Sequence, residues 1–201
     1  MGGGDNLKLK ENDTAKKVVR INLNKINDQL SEVSDGDSIA FSKWLFTKSV
    51  YYKQQQLRRG LGDIPKSINR GDIVRVELGI NVGDELSDLN KDGHFCLVWA
   101  RKGFNVIIIP LTSTPQIGNE FSVNLGKIEG LPEDVDSYAK LEQIKSISIR
   151  RIKRLKEVES GKLSIADQPK LLEKVSQKFE EQFLYNIIIP QVLSKESNND
   201  V

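Results

Sequence analysis

Three blocks with different hydrophobic spacing follow one another along the chain. In "TAKKVVRINLNKINDQLSEV", Val19, Leu23, Ile26, Leu30 and Val33 recur at intervals of 4, 3, 4 and 3. That spacing puts them on one face of a helix. "SDGDS" interrupts the pattern, with Asp37 or Ser38 placed to cap a second helix, "IAFSKWLFTKSVYYKQQQLRRG". This helix carries Trp44, Leu45, Lys48 and Tyr52 on neighbouring turns; Gly60 and Gly62 are expected to end it, and Pro65 to keep it from restarting. The two segments predict an αα-hairpin. Each helix needs its apolar stripe covered by the other, by the rest of the chain or by a second chain.

From about Arg70 to Ile152 the period changes to two. "DIVRVELG" sets Ile73, Arg75 and Glu77 against Val74, Val76 and Leu78, as a half-buried strand does. "FCLVWA" and "VIIIPLTS" are nearly continuous apolar runs, which suit central strands covered on both faces. "RKGFN" makes a short hairpin connection between them. "EFSVNL" alternates again, and "SYAKLEQIKSISI" gives a long strand or a strand pair. Short strands joined by tight loops predict a small, strongly curved sheet or barrel. Two loops are longer and more polar, Ile80–Gly93 and Ser113–Glu120. Such loops on a compact β scaffold often carry function.

The third block is helical once more. "GKLSIADQPKLLEKVSQKFEEQFL" brings Leu172, Val175, Phe179 and Phe183 to one face, with Asp167 as the expected cap and Pro169 in the first turn. "NIIIP" is apolar but short, and "SKESNNDV" is a polar tail. The organisation expected is a helical extension over 1–65, a β domain with its closing helix over 66–190, and a tail over 191–201.

Composition narrows this picture only a little. A net charge of +2 over 201 residues does not by itself call for nucleic acid or membrane. One cysteine, Cys96, allows no intrachain disulfide and suits a reducing compartment. No apolar run is long enough to span a bilayer, and "MGGGDNLKLKEND" lacks the apolar centre of a signal peptide, so a cytoplasmic protein is expected. One histidine and one cysteine two residues apart do not make a metal site, and no metal or cofactor is expected. The candidate chemistry centres on His94, the only histidine, just before "FCLVWA". A lone loop histidine is more often merely solvated. Thr112 and Ser113 at a strand end are more often turn formers. "RRIKRLK" resembles a nucleic-acid patch, although a charge run after a strand is more often a solvated face.

Five segments, in order, resemble the PemK/MazF family of toxins from toxin–antitoxin systems: "RGDIVRVELG", "FCLVWA", "VIIIPLTST", "LEQIKSISIRRI" and "GKLSIADQPKLLEKV". They run from Arg70 to about Leu184, and the first 65 residues lie outside the likeness. The resemblance implies an α+β fold, an SH3-like barrel with a C-terminal helix. It also implies a homodimer, a cognate antitoxin, and metal-independent cleavage of single-stranded RNA by attack of a 2′-OH on the adjacent phosphate. By position it implies catalytic roles for His94, Thr112 and Ser113, with Lys91, Arg101, Lys102 and Gln116 as RNA-binding candidates. One departure stands out: the family's essential arginine corresponds to His94, with Phe95 where the family has proline. A neutral imidazole lacks the fixed charge of a guanidinium but transfers protons more readily. Two readings follow, an endoribonuclease with histidine in place of arginine, or a catalytically degenerate module that binds nucleic acid or a protein partner. No carboxylate partner for His94 is placed by the motifs, although Glu77, Asp84 and Glu85 lie on or beside the first polar loop.

Overall fold

The computed structural model describes residues 8–58, 61–62, 64–65, 67–89, 92–131, 135–156, 160 and 162–182. The chain forms two compact units, Met1–Lys48 and Ser49–Val201.

In the first unit, α1 spans Asp13–Leu30 and is capped by the Asn12 side chain, which accepts from the Ala15 N–H at 2.9 Å. Helix α2, Asp35–Gln56, begins in this unit and ends in the second. Its cap is neither Asp37 nor Ser38. Ser34 plays that part: its hydroxyl accepts from the Asp37 N–H at 3.1 Å and donates to the Asp37 carboxylate at 2.7 Å. Ser38 lies inside the first turn, where its hydroxyl donates back to the Leu30 and Ser34 carbonyls. The stripe of α1 is largely uncovered: Val19 and Leu23 are exposed and Ile26 and Leu30 half-buried, while Val33 falls in the turn beyond the helix. Helix α2 stops at Gln56, before the expected glycines, and Arg58 adopts a left-handed φ of 50°. Gly60 lies outside the described residues.

The second unit is built on β1 (Asp72–Val76), β2 (His94–Lys102), β3 (Asn105–Thr112), β4 (Ser122–Lys127), β5 (Asp136–Lys140), β6 (Lys145–Ser148), β7 (Ile152–Lys153) and β8 (Leu163–Ser164), closed by α3 (Pro169–Glu180). Every strand pairing among the described residues is antiparallel, in the order β4-β5-β3-β2-β1-β7, with β6 on β3 and β8 on β1. The α+β class expected from the sequence is the one observed. Strand β1 is buried on both faces rather than half-buried: Ile73 joins one core, and Val74 and Val76 the other. The same division runs through β2, with Leu97 on one side and Cys96 and Val98 on the other, and through β3, with Ile109 opposed to Val106 and Ile108. This two-sided burial explains the continuous apolar runs.

One core is covered by α3, through Val175 and the half-buried Leu171, Leu172 and Phe179. Phe179 packs on Trp99 with ring centres 5.3 Å apart. Pro169 is the first residue of α3, as expected. The residue before the helix is Gln168, so Asp167 is not its cap. Phe183 and the "NIIIP" segment lie outside the described residues. The "RRIKRLK" run is not simply a solvated face. Arg150 is buried, and the Arg151 guanidinium donates to the carbonyls of Glu77, at 2.8 Å, and Leu78. Arg151 therefore ties the end of β1 to the turn before β7.

Candidate functional site

Strands β2 and β3 pair from their hairpin as far as Cys96 opposite Pro110, and then they part. Beyond that point His94 pairs with Val76 of β1, and Thr112 pairs with Tyr138 of β5. A cavity of about 360 Å³ opens in this fork. Arg75, Asp88, Gly93, His94 and Phe95 line one side, Leu111, Thr112 and Ser113 another, and Leu131, Val135 and Ser137 a third.

His94 is the first residue of β2, not a loop residue. Gly93 makes its placement possible. It has φ of +81°, and a Cβ there would stand 3.0 Å from the Val76 carbonyl oxygen. Only glycine lets the chain cross so close to β1. The Gly93 carbonyl in turn accepts from the Arg75 guanidinium at 3.2 Å. That guanidinium lies 4.1 Å from the centre of the Phe95 ring, its neighbour across the strands.

The histidine has a carboxylate partner that the motifs did not supply. His94 Nδ1 lies 2.8 Å from Asp88 Oδ2. A carboxylate can only accept, so Nδ1 carries the proton and Nε2 is left as the second ring nitrogen. Nε2 is enclosed and has no partner among the described residues. Asp88 is held by a two-way backbone bridge to Gly79, with N···O distances of 3.0 and 2.9 Å. The loop between them is knitted by Asn81, whose side chain donates to the Leu86 carbonyl at 2.7 Å. Gln143 also holds it, accepting from the Leu86 N–H and donating to the Asp84 carbonyl. Of the carboxylates considered from the sequence, Glu77 binds the Tyr51 hydroxyl and lies 3.7 Å from Lys153, and Glu85 lies 3.9 Å from Lys145.

Thr112 Oγ1 accepts from the Thr114 N–H at 3.2 Å, so it forms a turn and lines the cavity at once. Of the Ser113–Glu120 loop only Ser113 lines the cavity, and Leu131, Val135 and Ser137 line the side beyond it. Gln116 bonds within its own loop, to the Thr114 carbonyl at 3.0 Å, and does not line the cavity. Arg101 and Lys102 are exposed at the opposite end of β2 from His94. At ~3.3 Å per residue that is roughly 25 Å away. Lys91 lies outside the described residues. Cys96, next but one to His94, is fully buried, and burial pushes its thiol far above the ordinary range, which makes it an inert core residue. Among the described residues no group of three His, Cys, Asp or Glu side chains is placed to hold a metal ion.

A family model described as "PemK-like, MazF-like toxin of type II toxin-antitoxin system" matches residues 69–179. The chain belongs to this family. The PemK/MazF-like region begins just before β1 and ends at Phe179 of α3, so α1 and α2 both precede it. Among solved structures, the Mycobacterium tuberculosis toxin MazF-mt6 is similar at 18% identity, with a TM-score of 0.35, over 54% of this chain and 95% of that one. No curated protein sequence matched. No helix among the described residues is long and apolar enough to cross a membrane.

Proposed function

We propose that this PemK/MazF-like chain is an endoribonuclease that cleaves single-stranded RNA without a metal ion, acts as a homodimer in the cytoplasm, and is restrained by a cognate antitoxin. Membership of the toxin family supports the class of activity. The observation that carries the site is the cavity lined by His94, whose imidazole Asp88 holds, together with Thr112 and Ser113. In this chemistry the ribose 2′-oxygen bonds to the adjacent phosphorus as its proton passes to a base. The P–O5′ bond breaks as an acid protonates the leaving oxygen. Asp88 fixes the orientation of the imidazole by holding its Nδ1–H, and Thr112 and Ser113 would donate to phosphate oxygens.

One observation favours the second reading, a degenerate module that binds RNA or a protein partner without cutting. Both ring nitrogens of His94 are withheld from solvent, one by Asp88 and one by enclosure. Incubating the purified protein with a long RNA in EDTA separates the two. The nuclease should leave 2′,3′-cyclic phosphate and 5′-hydroxyl ends, and His94→Ala should lose on the order of 10²-fold or more of its rate. Intact RNA with wild-type protein would establish the degenerate reading, and cleavage abolished by EDTA would contradict the site.

A further inference from the structure

We infer that Arg75 is the phosphate-binding cation of this cavity, supplying a fixed positive charge from β1 beside the imidazole that opens β2. The inference deepens the nuclease reading and rests on it for its catalytic part. Its binding part stands on the geometry alone.

Four observations bear on it. Arg75 lines the same cavity as His94, Thr112 and Ser113. Its charge has no carboxylate partner among the described residues; its contacts are the Gly93 carbonyl at 3.2 Å and the Phe95 ring at 4.1 Å. Those two contacts fix the position and lean of the guanidinium and use one of its five N–H donors, leaving a planar fork free for an oxyanion. The candidate cations Arg101 and Lys102 stand at the far end of β2 and cannot serve. A half-buried guanidinium without a counter-charge is costly to keep, and a phosphodiester is the anion that the adjacent hydroxyls suit. The cation and the proton-transfer group thus come from two strands: Arg75 faces Phe95 across the β1–β2 ladder, one position from the Val76–His94 pair. During cleavage the phosphorus passes through a five-bonded state with added negative charge on its equatorial oxygens. Arg75 would donate to those oxygens while proton transfer remains with His94.

A purely structural role is the alternative to defeat, since Arg75 also anchors Gly93. Binding of a mixed-sequence pool of 2′-O-methyl RNA dodecamers, which cannot be cleaved, is measured against salt for wild type, Arg75→Lys, Arg75→Gln and His94→Ala. Thermal unfolding of each confirms the fold. Losing a phosphate contact should reduce the slope of log K against log salt by about 0.7 for single strands. Arg75→Gln should show that reduction, and Arg75→Lys and His94→Ala should not. On a cleavable RNA, Arg75→Gln should lose roughly 10²- to 10³-fold in kcat, as for removal of one preorganised donor. His94→Arg added to Arg75→Gln should recover part of it. Folded Arg75→Gln with an unchanged salt slope would overturn the inference, as would wild type that fails to bind the pool. Wild type that binds with the predicted Arg75 dependence but cuts nothing would refute the nuclease reading and leave the phosphate site standing.

Discussion

Cys96 is two positions from His94, yet its chemistry is that of the core. Burial holds its thiol protonated in the folded chain, whereas in the unfolded chain it ionises above about pH 9. The unfolded state then binds fewer protons, so stability is intact below that pH and falls as pH rises. The expected slope is about 1.4 kcal/mol per pH unit for one such group. Tyr51 adds a second fall from about pH 10, because burial and the bond to Glu77 keep its phenol protonated. Lys145 acts in the opposite sense, since burial lowers its pKa and the folded chain sheds that proton early. A single substitution isolates the thiol: in urea titrations between pH 8 and 10.5, Cys96→Ala should show a shallower alkaline loss than wild type. Parallel curves would mean that Cys96 does not titrate in this range. His94 and Arg75 differ in how they could be read. The histidine stands out in the sequence by being alone and by its place in a motif. Arg75 is only one polar position of an alternating strand there, because alternation cannot tell a solvated arginine from one turned into a cavity.

The strands were legible because each carries its periodicity locally, and the hairpin at Gly103–Phe104 was bounded by unmistakable apolar runs. The two-residue strands β7 and β8 were not, since two residues have no period. Asp88 escaped for a different reason. Its approach to His94 depends on the bridge to Gly79 and on Gln143 reaching across from 57 residues away, and no local pattern encodes either. The close of α2 is tied to the sheet in the same non-local way, by the Tyr51 hydroxyl on the Glu77 carboxylate. Tyr51→Phe in the full chain should therefore cost about 1.5–3 kcal/mol, as for a hydrogen bond to a charged group. It should also raise amide exchange in Ser49–Gln56 more than in α3. Equal stability of the variant and wild type would show that the bond is incidental.

The β unit is well buried, whereas in the helical unit Trp44 is buried but many other apolar side chains are exposed. Val18, Ile21, Leu23, Val33, Ile39 and Phe46 are all at least half exposed. So much uncovered apolar surface is an association or aggregation hazard. Removing residues 1–48 spares Tyr51 and the β unit. It should change the light-scattering mass or the solubility, and unchanged values for both would mark the helices as an independent appendage.

The fork between β2 and β3 has a mechanical consequence. Along β3 the outer edge pairs with β6 through Ile108 and with β5 from Leu111, and between them Pro110 brings no N–H to either. The imidazole rides on one hydrogen-bonded ladder and the Thr112 hydroxyl on another, and the two are hinged at a residue that cannot stitch them together. A small sway of β4 and β5 would widen or narrow the gap between those groups without breaking a bond in either ladder. The β unit is therefore jointed like a pair of callipers, with its jaws at the cavity and its pivot at Pro110 of β3.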